Sequence, residues 1–288
     1  MLRIALPNKG RLAEETRDLF GDAGLEVRAL GDRALTARLG EDFLALFVRA
    51  QDIPEFVADG AADAGITGWD LVCESQRDLD VLLDLTFGQC RLVVAVRDES
   101  RLRSVAEIEP GTRVATAFPR STQAYFERRG IGVEVVPVSG ATEVAPHLGI
   151  ADVVVDLTST GSTLHVNGLR ELETVLASSA RLVVSPATMQ ANGVRAAALR
   201  DLTAALESVL RARGQRYLMA NVPKDALDQV TGVLPGLRGP TVIDIINGGA
   251  HAAVHAVVPA PGVYRTIAAL KALGAEGILV TRIERLMP

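Results

Sequence analysis

Short apolar runs rich in β-branched residues recur along this chain, and a stretch with helical spacing separates most of them from the next. LRIALP (2–7), ALTARL (34–39), FLALFV (43–48), DAGIT (63–67), RLVVAVR (91–97), RVATA (113–117), IGVEVVPV (131–138) and ADVVVDL (151–157) are strand candidates, and GRLAEETRDLFGDAG (10–24), closing on Gly24, is the clearest intervening helix. Strands alternating with helices leave few options beyond an α/β fold, in which ligand groups gather at the carboxyl ends of the strands. The connections, short and rich in Gly, Pro, Asp and Ser, suit that arrangement.

GQCRLVVAVRD (88–98) reads as the strand by which the chain leaves one α/β lobe for a second, and ARLVVSP (180–186) as the strand that brings it back. Two lobes with a cleft between them follow. Leu199, Leu202, Leu206 and Leu210 then mark a long amphipathic helix. Beyond Gly214 the order is strand, helix, strand, strand, helix, strand, the βαββαβ pattern of a ferredoxin-like or ACT-like module. Its helices carry core stripes at Leu227, Val230 and Leu234, and at Ile267, Leu270 and Leu273.

The chain of 288 residues is long for one core, and 48% hydrophobic residues with a mean hydropathy of +0.23 rule out extensive disorder. Thirty basic against 35 acidic residues give a net charge of -5 without a dense Lys/Arg stripe, which argues against a nucleic-acid partner. No apolar window is long enough for a membrane span and the N-terminus has no signal-peptide pattern, so the expected location is the cytoplasm. Two cysteines, Cys73 and Cys90, read as buried small hydrophobes and not as a disulfide. His147, His165, His251 and His255 have no metal-ligand spacing; His251 and His255 fall on one face of a strand.

Three clusters have the residue types for binding an anionic ligand. In ADVVVDLTSTGSTL (151–164) a buried strand ends at Asp156 and gives way to hydroxyls around Gly161, so N–H groups and hydroxyls converge as a phosphate requires; an alternative is a plain strand end followed by a helix capped by Ser159 or Thr160. PNKGRL (7–12) puts Lys9 beside Gly10 at a strand end, either as a phosphate contact or as an ordinary basic helix start. Further on, Arg49 and the group Thr67, Gly68 and Asp70 lie at two other strand ends, where Arg49 either meets a phosphate or base or pairs with a surface Asp.

Taken together these clusters resemble the ATP phosphoribosyltransferase family, in its long, self-regulated form. The resemblance spans essentially the whole chain. It is most specific in EVAPHLGIADVVVDLTSTGSTL (143–164), with PNKGRL, GITGWDLV, RVATAFP and GPTVI following in the family order. Rossmann-like phosphoribosyltransferases carry two adjacent acids before such a turn, whereas Val155 precedes Asp156 here.

The resemblance implies two periplasmic-binding-protein-like α/β lobes with an interlobe cleft, plus a C-terminal ferredoxin-like (ACT-like) domain. In residue terms that is a catalytic region 1–210 (lobe I about 1–90 and 180–210, lobe II about 91–179) and a regulatory domain 211–288. It implies transfer of the phosphoribosyl group of 5-phosphoribosyl 1-diphosphate (PRPP) to N1 of ATP, with Mg2+ carried on substrate phosphates. Thr158, Ser159, Thr160, Gly161, Ser162 and Thr163 would cradle the 5-phosphate, Asp156 would engage the ribose hydroxyls, and Lys9 would meet the departing diphosphate. ATP would lie near Lys9, Leu12, Arg49, Asp70 and Phe118, the last standing where many relatives have a tyrosine. Histidine would bind as feedback effector at Thr241, and dimers would assemble into hexamers. A two-lobed binding module without turnover, or a silent regulatory subunit, would share the fold without the reaction.

Overall fold

The computed structural model describes residues 1–28, 34–190, 192–246 and 249–287. The chain forms two compact units, Met1–Thr203 and Ala204–Pro288.

In the first unit the chain runs β1 (Leu2–Pro7), α1 (Arg11–Asp22), β2 (Val27–Arg28), β3 (Thr36–Leu39), β4 (Phe43–Val48), α2 (Ile53–Ala58), β5 (Ala64–Gly68), α3 (Trp69–Ser75) and β6 (Asp80–Asp84). It continues through β7 (Cys90–Arg97), β8 (Arg113–Thr116), α4 (Pro119–Glu127), β9 (Glu134–Pro137), β10 (Val153–Thr158), α5 (Ser162–Val166), β11 (Leu169–Ser178), β12 (Ala180–Val184), α6 (Pro186–Met189) and into α7 (Val194–Ala212). Two mixed sheets result, one ordered β2-β3-β4-β1-β5-β12-β6 and the other β11-β7-β10-β8-β9.

Each sheet is the centre of one lobe. β1 pairs in parallel with both β4 and β5, and its Leu2, Ile4, Ala5 and Leu6 are buried, as a strand covered on both faces demands. In the second lobe Val153, Val154 and Val155 of β10 are fully buried between β7 and β8, and Val153 and Val155 join Phe118, Tyr125 and Phe126 in the core. β7 lies wholly in the second sheet, so the crossing is made by the connection before it and not by the strand that the sequence suggests. That connection and the return between β11 and β12 run side by side: the Leu85 N–H donates to the Ala180 carbonyl at 2.9 Å, and the Ala180 N–H donates to the Phe87 carbonyl at 2.9 Å. The two crossings thus form one hinge.

The second unit contains the end of α7, then β13 (Gln215–Pro223), α8 (Leu227–Val233), β14 (Thr241–Asp244), β15 (His251–Pro259), α9 (Val263–Ala272) and β16 (Glu276–Arg282). Its sheet, β14-β15-β13-β16, is antiparallel throughout and has the ferredoxin-like strand order. Val230, Leu234 and Leu270 are buried in its core with Leu227, Ile267 and Leu273 packed against them, the stripes expected from the sequence. In α7, Leu199, Leu202 and Leu206 are buried, while Val209 and not Leu210 completes the row. The strand expected over TVIDIIN ends at Asp244, and Asn247 and Gly248 of that stretch and of the turn after it lie outside the described residues.

Candidate active site

Between the lobes lies a cavity of about 460 Å3. Lobe I supplies the loop after β1 (Lys9, Gly10) and the first turn of α1 (Arg11, Leu12), with Asp70 and Leu71 from α3; lobe II supplies Phe118 and the end of β10, Leu157 to Ser159. A second cavity of about 440 Å3 shares Cys90 and Ser159 with it and adds Arg91, Ser178 and Arg181, so the two adjoin.

Lys9 is exposed at the mouth and makes no ion pair among the described residues. Gly10 has φ +80° and precedes α1 without any side-chain cap, so the first N–H groups of α1 are free for an anion. Leu12 reaches across to Gly88, whose φ of +62° and contact with the Leu12 side chain leave no room for a Cβ. Phe118 is 7% exposed and anchored in the lobe II core, its N–H donating to Thr116 Oγ1 at 2.9 Å.

Asp70 is buried at the start of α3. Its carboxyl is pushed above the usual range by burial, against which a hydrogen bond from Ser178 works. A Cβ on Gly68 would run into that carboxylate, so the glycine lets Asp70 fold back over the strand end. Cys73 and Cys90 form no disulfide and are half-buried, not fully buried as expected, and burial followed by the charge of Asp70 raises both thiols.

Asp156 stands inside β10, two residues before its end, and not at the strand exit, because pairing with β7 continues to Thr158. It accepts the Leu157 N–H at 2.7 Å. Burial raises its carboxyl, the nearby charge of Glu143 raises it further, and hydrogen bonds to Leu157 and Thr142 oppose both. Glu143 and Thr142 were not assigned a role from the sequence, although Glu143 opens the signature run.

The loop after β10 is held by its own hydroxyls. Thr158 Oγ1 accepts the Gly161 N–H at 2.8 Å, and Thr160 Oγ1 lies 2.9 Å from Ser162 Oγ. The N-cap of α5 is Gly161, at φ +80°, with no side chain of its own to offer; Thr160 Oγ1 accepts the Ser162 N–H at 3.4 Å, so part of the capping role expected of Thr160 is kept from one position further out. Thr158 and Ser159 line the cavity; Asp156, Thr160, Gly161, Ser162 and Thr163 do not. Arg49 also falls outside the lining, which its neighbour Ala50 joins, and among the described residues it makes no ion pair with a surface Asp. Thr241 is exposed on β14 in the other unit, opposite His255.

A family model described as "ATP phosphoribosyltransferase" (HisG) matches residues 49–208, and one described as "HisG, C-terminal domain" matches residues 212–285. A relative from Gemmatimonas aurantiaca named ATP phosphoribosyltransferase is 67% identical over the full length of both chains. The chain belongs to the ATP phosphoribosyltransferase family. Another member, from Haloarcula marismortui, is 51% identical over 99% of this chain and 100% of its own. A solved chain from the ATP phosphoribosyl transferase (HisG:HisZ) complex of Thermotoga maritima is 30% identical with a TM-score of 0.62; 72% of the present chain covers 99% of that one.

The chain is accordingly an enzyme, a pentosyl-transferring glycosyltransferase of histidine biosynthesis whose substrates are ATP and PRPP. ATP phosphoribosyltransferases require a divalent metal. Among the described residues no group of three or more His, Cys, Asp or Glu could hold one unaided. Asp156 and Glu143, close enough for one charge to act on the other, are hard oxygen donors of the number a cation takes from protein when substrate phosphates and water complete its shell. The residues therefore fit a substrate-borne metal. Among the described residues no helix is long and apolar enough to cross a membrane.

Proposed function

We propose that residues 1–210 join adenine N1 of ATP to the anomeric carbon of PRPP with inversion and release of diphosphate, and that residues 211–288 take histidine as feedback effector. The observation that carries the catalytic part is the hydroxyl-rich loop at Thr158–Thr163, which follows Asp156 and whose first residues, Thr158 and Ser159, line a cavity walled also by Lys9 and Phe118.

In this reading the loop holds the 5-phosphate, with Gly161 giving the backbone its close approach. Asp156 and Glu143 accept hydrogen bonds from the ribose hydroxyls and place negative charge beside a ring that becomes cationic as the diphosphate departs. Adenine packs against Phe118, a contact that needs no tyrosine hydroxyl. Neutral adenine N1 carries a lone pair and no proton, so attack requires position more than a base. Lys9 and the free N–H groups of α1 face the charge that develops on the diphosphate. Magnesium, bound through substrate phosphates with Asp156 and Glu143 as the protein's carboxylates, would supply further neutralisation of that leaving group.

The effector would sit near Thr241 on the exposed edge strand of the ferredoxin-like unit. Exposed β14 also supports pairing of such units between copies, which we propose builds homodimers into a homohexamer. A cytoplasmic location suits soluble substrates of this kind.

The test is to mix the full chain with ATP, PRPP, Mg2+ and a pyrophosphatase and to follow adenine absorbance with and without histidine. A rise that histidine suppresses is expected. No rise with demonstrable PRPP binding would overturn the transferase assignment, and a rise indifferent to histidine would overturn the regulatory one.

A further inference from the structure

We propose that Glu74 is a positioning residue for the transfer, a carboxylate of lobe I that caps a helix of lobe II and so sets the distance between the two walls of the cavity. The inference rests on the reading that ATP binds between those walls.

α4 begins badly by its own sequence. Its N-cap is Phe118, which offers no acceptor, its first residue is Pro119, and its first turn contains no acidic residue. Proline has no N–H, so the first donors left free are those of Arg120 and Ser121. Both go to one side chain: Glu74 Oε1 accepts the Arg120 N–H and Glu74 Oε2 accepts the Ser121 N–H, each at 2.9 Å. The Arg120 guanidinium returns a bond to the Ser75 carbonyl at 2.9 Å, at the end of α3. A helix of one lobe thus receives its cap from the other.

The same face of α3 carries Leu71, one turn earlier, which packs against the lobe II core that contains Phe118, Tyr125 and Phe126. Both helices start at the cavity: Asp70 is the second residue of α3, and Phe118 directly precedes α4. Holding the end of α3 against the start of α4 fixes how far Phe118 stands from Asp70. If the lobes part about the hinge, two N–H groups and a carboxylate return to water and the wall spacing is lost. The hydroxyl loop of residues 158–163 lies wholly in lobe II and is indifferent to this contact.

The experiment compares the full-length parent with Glu74→Ala and Glu74→Gln in steady-state kinetics, direct PRPP binding and small-angle scattering. Loss of a cap contact of this class predicts a rise in KM for ATP of about 2- to 30-fold in Glu74→Ala, less in Glu74→Gln, with kcat at saturation kept because substrate restores the closed population. PRPP affinity measured without ATP falls less than the KM for ATP rises, because only its diphosphate reaches across to Lys9. The substrate-free Glu74→Ala protein has a larger radius of gyration than the parent, and the two converge when both substrates are added. An unchanged KM for ATP, or a parallel loss of PRPP affinity and thermal stability, would overturn the proposal. The scattering of the substrate-free proteins does not depend on turnover: an absence of parental activity condemns the functional reading, whereas equal radii condemn the role of Glu74.

Discussion

Ser178 and Asp70, 108 residues apart, bind each other twice: Ser178 Oγ donates to Asp70 Oδ1 at 2.5 Å and accepts the Asp70 N–H at 2.9 Å. Ser178 closes the last strand of lobe II and Asp70 opens a helix of lobe I, so the pair ties the hinge to the cavity. Burial holds the folded Asp70 carboxyl above its ordinary value, which makes the folded state bind that proton more tightly than the unfolded chain. Stability therefore falls as pH rises from about 3.8 through the raised value. Ser178→Ala removes the bond that restrains the shift, so its deficit against the parent should widen with pH across that window and reach about 1–3 kcal/mol at neutrality. Urea melts at a series of pH values decide; a deficit that does not vary with pH would deny the ionised Asp70 this partner.

Asp156→Asn keeps the shape of the side chain and removes its charge. Turnover should fall at least about tenfold, equal to ~1.4 kcal/mol of barrier. Thermal stability should be unchanged or higher, because burial makes the Asp156 charge a cost to the fold at neutral pH. Parental kcat in this variant would remove Asp156 from the site.

Burial and then the charge of Glu143 push the Asp156 carboxyl up, while Thr142 pulls it down. If ionised Asp156 supports the reaction, kcat/KM declines on the acid side through that raised value. Glu143→Gln should then move the acid limb to lower pH and Thr142→Val to higher pH. Opposite movements of one limb are hard to obtain from general damage. Two limbs that stay in place would place the titration elsewhere.

Much of this was legible because local pattern and tertiary demand agreed. The runs that became β1 and β10 are apolar on both faces, and a strand between two parallel or mixed neighbours is the structure that uses both. What escaped was set at a distance. The position of Asp156 within β10 depends on where β7 stops pairing, and nothing near residue 156 encodes the Thr158 to Arg91 register. The cap of α4 stands 46 residues upstream in another lobe, invisible to a search for Ser, Thr, Asp or Asn beside the helix. Arg49 directly follows the end of β4, as the sequence suggests, but the 3-10 turn after it presents Ala50 to the cavity instead. Glu143 lies in plain view within the signature; that its charge acts on Asp156 follows from the tertiary structure alone.

Gly161 supplies the sharpest test of the loop. Its φ of +80° is left-handed, and a Cβ there would come 3.1 Å from Glu171 Oε1. Glu171 has little freedom to withdraw, since Arg91 grips both its oxygens, Nη1 at 2.7 Å and Nη2 at 2.9 Å. Gly161→Ala must therefore bear left-handed strain of about 1–2 kcal/mol and shift the loop besides. PRPP affinity should drop by roughly 5- to 30-fold by titration calorimetry while the KM for ATP holds. Adding Glu171→Ala relieves the contact and not the dihedral, so the double variant should recover only part of the loss. Full recovery would assign the effect to crowding alone, and an unchanged PRPP affinity in the single variant would take the 158–163 loop out of the phosphate site.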